Sequence, residues 1–111
     1  MNSVIIVGRV GQDAEIKYFE SGKSRATFSV AVNRWDAKTK SEIADWYNVD
    51  VWDKLAEFAG EYIKKGSMVI VDGSIQSSRW TDKATGEERE RFLINANNIR
   101  FAGGKREAEA L

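Results

Sequence analysis

Trp46-Tyr47-Asn48-Val49-Asp50-Val51-Trp52 is the stretch on which the fold of this chain turns. Taken with the two-residue period of a strand, one face carries Trp46, Asn48, Asp50 and Trp52, and the other Tyr47, Val49 and Val51. Val49 and Val51 gain by leaving water, so their face turns inward and both tryptophans share the wet face with Asn48 and Asp50. Large apolar groups left on a wet face mark a contact surface. The two rings stand about 20 Å apart at about 3.3 Å per residue, a span that suits an extended ligand better than a small molecule in a closed pocket.

The segments before this strand extend the same pattern. Residues 2–19 read as one long bent strand: Val4-Ile5-Ile6-Val7 is apolar on both faces, and Gly8 and Gly11 permit the corner of a small barrel. Glu20-Ser21-Gly22-Lys23 is a turn. Residues 24–33 form a second strand, with Ala26, Phe28, Val30 and Val32 on one face and Arg25, Thr27, Ser29 and Asn33 on the other. Arg34 to Ile43 is a polar, charged loop that holds Trp35.

Beyond the strand at 46–52, Asp53 is the expected N-cap of a helix whose apolar stripe is Leu55, Phe58, Ala59, Tyr62 and Ile63. Lys64 and Lys65 suit its C-terminal end, and Gly66 the C′ position. Met68 to Ile75 makes a fourth strand, and residues 76–90 a long hairpin with its tip near Ala84-Thr85-Gly86 and Trp80 on the outgoing arm. Residues 91–101 form the fifth strand, with a bulge near Asn97-Asn98, and residues 103–111 are expected to fray.

Composition bounds the function. The 111 residues suffice for one domain, and 42% hydrophobic with 31% charged residues is the balance of a soluble globular chain. Formal net charge is zero, so any electrostatic footprint for nucleic acid must be local. Without cysteine or histidine there are no disulfides, no thiolate zinc sites and none of the commonest general base. No carboxylate pair has a neighbouring nucleophile or metal-ligand spacing, so no catalysis, cofactor or metal is expected. Val4–Val7 is far too short for a signal peptide or a membrane span, which points to an intracellular domain with no membrane partner.

Strand, strand, strand, helix, strand, strand is the order of the five-stranded oligonucleotide-binding barrel, the OB-fold, an all-β architecture with one helix. In such a barrel the second and third strands and the last hairpin border the ligand groove, so Trp35, Trp46, Trp52 and Trp80 map towards one region. Unpaired bases expose π faces, and each base stacked on an aromatic ring contributes on the order of 1–3 kcal/mol with little regard to base identity. Arg34, Lys38, Lys54 and Arg79 are the cations nearest the rings in sequence and the candidates for phosphate contact. A competing possibility is that Trp35 and Trp80 cover a subunit interface instead.

Several pieces in order then carry a resemblance: Val4-Ile5-Ile6-Val7-Gly8 with Gly11-Gln12-Asp13, the helix start Asp53-Lys54-Leu55-Ala56-Glu57, Tyr62 through Gly66, and Arg79-Trp80-Thr81-Asp82. Over residues 2–102 the chain resembles the bacterial single-stranded DNA-binding proteins. That resemblance implies an OB-fold domain over residues 1–102 followed by a short segment, 103–111. It implies a non-catalytic homotetramer of the bacterial cytoplasm, associated with the nucleoid, that wraps single-stranded DNA during replication, repair and recombination. The family's stacking aromatics correspond to Trp35, Trp46, Trp52 and Trp80, with Trp52 standing where the family usually has phenylalanine. Its phosphate-contacting positions correspond to Lys17, Lys38, Lys54, Lys65 and Arg79. Asp13-Ala14 replaces the family's Asp-Pro. The family typically continues into a linker with an acidic, hydrophobic tip that recruits replication and repair proteins. This sequence ends at Glu107-Ala108-Glu109-Ala110-Leu111, so that recruitment is not expected of it. Val4–Val7 and Met68–Val71, apolar on both faces, exceed what one small barrel would bury and agree with self-assembly.

Overall fold

Alternating apolar and polar residues build six strands and one helix in the computed structural model, which describes residues 1–103. The strands are β1 (Val4–Val10), β2 (Glu15–Tyr18), β3 (Ser24–Asp36), β4 (Ser41–Trp52), β5 (Met68–Thr81) and β6 (Glu88–Phe101), with α1 (Lys54–Tyr62) between β4 and β5. The sheet runs β1-β5-β6-β4-β3-β2 and closes on itself where β3 meets β1, through Arg9↔Ala31 and Val10↔Val30. All pairings are antiparallel except β4 with β6, which meet in parallel at Val49↔Ile94 and Asp50↔Asn95. The single strand expected over 2–19 is interrupted between Val10 and Glu15, yet both pieces pair with β3, so five staves close the barrel as expected. The fraying expected of 103–111 falls, from residue 104 on, outside the described residues.

The core follows the alternation. Ala26, Phe28 and Val30 of β3 and Val49 and Val51 of β4 are buried, and Ala56, Ala59 and Ile63 plug the barrel from the helix side. The valines, Phe28 and Ile63 among them contribute roughly 1.5–3 kcal/mol each by leaving water, which is why these strands cannot slip by one residue.

One expected loop is largely strand. The polar stretch 34–43 is the end of a β3–β4 ribbon that turns at residues 37–40, so Trp35 sits on a strand. The Asp36 carboxylate stitches the turn, accepting from Thr39 Oγ1 at 3.0 Å and the Lys38 N–H at 3.3 Å. The long hairpin expected over 76–90 is present, with β5 running to Thr81, β6 starting at Glu88 and residues 82–87 as the tip, where Gly86 takes φ 72° as the turn requires. The Asp82 carboxyl there is held below the ordinary aspartate range, first by the Ala84 N–H at 2.9 Å and then by the Arg89 guanidinium at 3.0 Å. A carboxyl depressed in the folded state adds order above its unfolded pKa and loses it as pH falls through the folded value. An NMR titration of Asp82 is therefore expected to show a midpoint below that of a free aspartate; a midpoint at or above it would mean the tip is not held this way.

The helix starts where expected, with Asp53 at the N-cap position, but the cap is made differently and the helix ends early. Asp53 does not cap α1 with its side chain and adopts φ 56°, ψ −122°. Its Oδ1 accepts the Ser24 N–H at 3.2 Å while its own N–H donates to the Ser24 carbonyl at 2.9 Å, so the residue is still held by β3. Gly66 has the left-handed φ of 93°, but α1 ends earlier, at Tyr62, with Ile63 extended. Ile63 is fully buried and its carbonyl accepts the Ala14 N–H at 3.0 Å, which draws the chain out of the helix and onto the β1–β2 bend. The expected bulge is present: Asp72 faces Asn98 and Gly73 faces Ala96, leaving Asn97 as the extra residue.

Candidate nucleic-acid interface

The β3–β4 register decides what the outer face of the barrel offers. Trp52 lies opposite Arg25, Asp50 opposite Thr27, Asn48 opposite Ser29, Trp46 opposite Ala31, and Glu42 opposite Trp35. Residues opposite each other share a face, so Trp52, Trp46 and Trp35 fall on one face, at β3 positions 25, 31 and 35. The steps are about 20 Å and about 13 Å at roughly 3.3 Å per residue. All three rings are exposed, from 39% for Trp52 to 63% for Trp35, while Val49 and Val51 beneath them are not.

Trp46 is seated by a missing side chain. A Cβ on Gly11 would come within 2.9 Å of Trp46 Cη2 and closer still to Cζ3, so the glycine is what lets the ring lie across the β1–β2 bend. Gly11→Ala is expected to lift the ring, changing tryptophan emission and its response to an oligonucleotide, with far-UV circular dichroism unchanged; an unaltered response would show that Trp46 does not need this seat.

Trp46 also reaches the neighbouring cleft. With Tyr47, Ile75, Phe92 and Ile94 it lines an apolar hollow of about 440 Å³ between β4 and the base of the β5–β6 ribbon. Trp80 lies farther out on that ribbon, 45% exposed and opposite Arg89. Three of the four tryptophans thus share a face, and the fourth stands on a separate arm.

The expected cations are placed unevenly. Alternation puts Arg34 and Arg79 on the ribbon faces opposite to Trp35 and Trp80, and both are paired there: Arg34 Nε with Asp45 at 2.7 Å, Arg79 Nε with Glu90 at 3.5 Å. Exposed pairs of this kind contribute about 0–1 kcal/mol, so an incoming phosphate can displace them. Lys38 is at the β3–β4 tip, Lys54 opens α1, and Lys65 follows α1 in a turn held by its N–H to Asp13 Oδ1 at 2.8 Å. Lys17 is on β2, with Nζ 5.4 Å from the Phe19 ring centroid.

A closed five-stave barrel with one helix and exposed rings along β3 and β4 is an oligonucleotide-binding fold in form. Among known families, the single-strand binding protein family matches residues 1–102. The chain belongs to this family. It is 45% identical over 111 residues to single-stranded DNA-binding protein 1 of Synechocystis, covering 99% of this chain and 91% of the relative. To the protein of that name in Nostoc it is 40% identical over 109 residues, covering 98% and 89%. The single-stranded DNA-binding protein of Neisseria meningitidis is 39% identical over 110 residues, covering 96% of this chain and 63% of its own length.

Within this family member two residues join the face that sequence reasoning did not single out. Phe19 stacks on Trp52 with centroids 6.1 Å apart and planes at 23°, and Arg25 Cζ lies 5.5 Å from one centroid and 5.9 Å from the other. Arg25 was legible as a wet-face residue, but its partner across the strand pair was not. Its Nε is buried without a hydrogen-bond partner, a condition that costs about 1–3 kcal/mol unless an acceptor arrives.

Proposed function

We infer that this chain binds single-stranded DNA with little sequence preference, by stacking bases on Trp35, Trp46 and Trp52 and on Trp80 of the second ribbon. The observation that carries this is the row of exposed tryptophans along β3 and β4, backed by a core that does not use them. Family membership makes it a binding protein rather than an enzyme. Lys17, Lys38, Lys54 and Lys65 supply phosphate contacts, with Arg34 and Arg79 contributing once released from their carboxylates. The role is protection of single strands in replication, repair and recombination, in the bacterial cytoplasm. No helix among the described residues is long and apolar enough to cross a membrane.

Tryptophan fluorescence during titration with oligothymidylate tests the inference. Strong quenching that saturates at a fixed nucleotide-to-protein ratio is expected, with log K falling by about 0.7 per phosphate neutralised as log salt rises. An oligouridylate of equal length distinguishes DNA from RNA as the preferred ligand. Absence of quenching at low salt would move the rings into an interface between chains.

Self-assembly to a homotetramer is the second part of the inference. Ile5 and Val7 on the outer side of β1 are 65% and 51% exposed, and Phe92 on β6 is 63% exposed. Such residues favour cover by further copies of the chain and leave the tryptophan row to DNA. Native mass spectrometry is expected to show four chains; a monomer at micromolar concentration would count against it.

A further inference from the structure

At the β2 end of the tryptophan row, pairing across three strands gathers unlike groups that no other place on the face combines. Lys17 lies opposite Arg25 and Arg25 opposite Trp52, so two cations and a ring form one line across the sheet, and Phe19 closes against the ring. Like charges brought together repel unless something neutralises them. Among the described residues neither Lys17 nor Arg25 forms a salt bridge, whereas Arg34, Arg79 and Arg89 all do. The next row of the same face carries the carboxylates of Glu15 and Asp50 on either side of Thr27, with Asp50 Oδ1 accepting from Thr27 Oγ1 at 3.1 Å, and neither forms an ion pair with Lys17 or Arg25. Ring faces attract a cation but leave its charge in place. The line therefore holds two positive charges with no direct ion pair, one buried N–H without an acceptor, and a pair of rings. The complement of that set is a pair of groups with one negative charge each, acceptor oxygens and an adjoining flat π surface.

We propose that Lys17, Phe19, Arg25 and Trp52 form a nucleotide subsite at this end of the row, where Arg25 takes one phosphodiester, Lys17 the next, and the Phe19–Trp52 pair the adjoining base. Arg25 and Phe19 are the binding residues this adds, and it rests on single-stranded DNA being the ligand. Arg25 turns from the rings to the phosphate and gives its Nε–H the acceptor it lacks. Because Phe19 already lies against Trp52, the base meets an ordered pair of rings rather than one free ring.

The test is titration of the full chain with oligothymidylate over a range of salt, comparing it with Arg25→Ala, Arg25→Lys and Phe19→Leu. Arg25→Ala is expected to lower affinity about tenfold at low salt, the lower end of what one charge-assisted hydrogen bond contributes. It should also flatten the slope of log K against log salt by about 0.7, one phosphate's share on a single strand. Arg25→Lys keeps the slope and loses part of the affinity, because a lysine carries the charge without the fork. Phe19→Leu loses about fivefold in affinity with the slope unchanged, since stacking releases no counterion. Arg25→Gln, close to arginine in length but uncharged, repeats the slope measurement if alanine leaves Trp52 unsupported. A wild-type slope in Arg25→Ala and Arg25→Gln would overturn the subsite while leaving DNA binding intact. A parent chain that binds no oligothymidylate would overturn the DNA reading itself.

Discussion

Replacing Trp46 and Trp52 together by alanine is expected to weaken oligothymidylate binding by about 30-fold or more. Two stacking interactions of about 1–3 kcal/mol each are lost, and about 1.4 kcal/mol corresponds to tenfold in affinity. The fold should survive, because the strand carrying both rings is anchored by Val49 and Val51, which are fully buried, while the rings are 60% and 39% exposed. Circular dichroism and assembly state are therefore the controls, and affinity by a method that does not depend on tryptophan emission is the readout. Binding that stays within twofold of the parent would remove the stacking row as the source of affinity.

Phe28→Ala should have the opposite profile, with a large effect on stability. Phe28 is 1% exposed, lies on the inner face of β3 opposite Val49, and is the bulkiest of the fully buried side chains. Removing a core aromatic costs about 3–5 kcal/mol, from lost transfer energy and the cavity left behind. For a domain of this size about 1 kcal/mol shifts the midpoint by about 4–8 °C, so the thermal transition should fall by at least about 12 °C. Thr27→Ala, one residue away on the outer face, should move it by a small fraction of that. Melting must be compared at one protein concentration, since association raises the apparent stability. A fall of only a few degrees for Phe28→Ala would mean that the barrel interior repacks around the loss.

Much of this was legible because burial imposes a period. Ala26, Phe28, Val30, Val49 and Val51 had to face inward together, and once they did, Trp46 and Trp52 had to face out. The same signal fails where a hairpin leaves the barrel. Residues 34–36 and 41–43 have little core to face, so their strand character rests on backbone pairing that no apolar alternation announces. Arg34 and Arg79 show a second limit. Adjacency to Trp35 and Trp80 in sequence suggests company, whereas in a strand adjacent residues point to opposite faces, and both arginines found carboxylates there. Asp53 shows a third: a residue type suited to capping a helix was claimed by a hydrogen bond to Ser24, twenty-nine positions earlier. Phe19 and Arg25 became visible only through register, which local residue pattern does not encode.

The way the barrel is closed has a consequence for motion. β3 with β4 and β5 with β6 are hairpins zipped along their whole length, but the hairpins touch each other in register only at Val49↔Ile94 and Asp50↔Asn95. One hairpin carries Trp35, Trp46 and Trp52 and the other Trp80, so their direct pairing rests on this short parallel seam, with β1 bridging them on the other side of the barrel. Regions held by few hydrogen bonds open at lower cost than the elements they join. A strand of DNA that engages both hairpins would clamp the seam from outside. Amide hydrogen exchange around residues 49–50 and 94–95 should then slow on binding more than exchange within either hairpin, making the seam a gauge of how many rings one DNA molecule reaches.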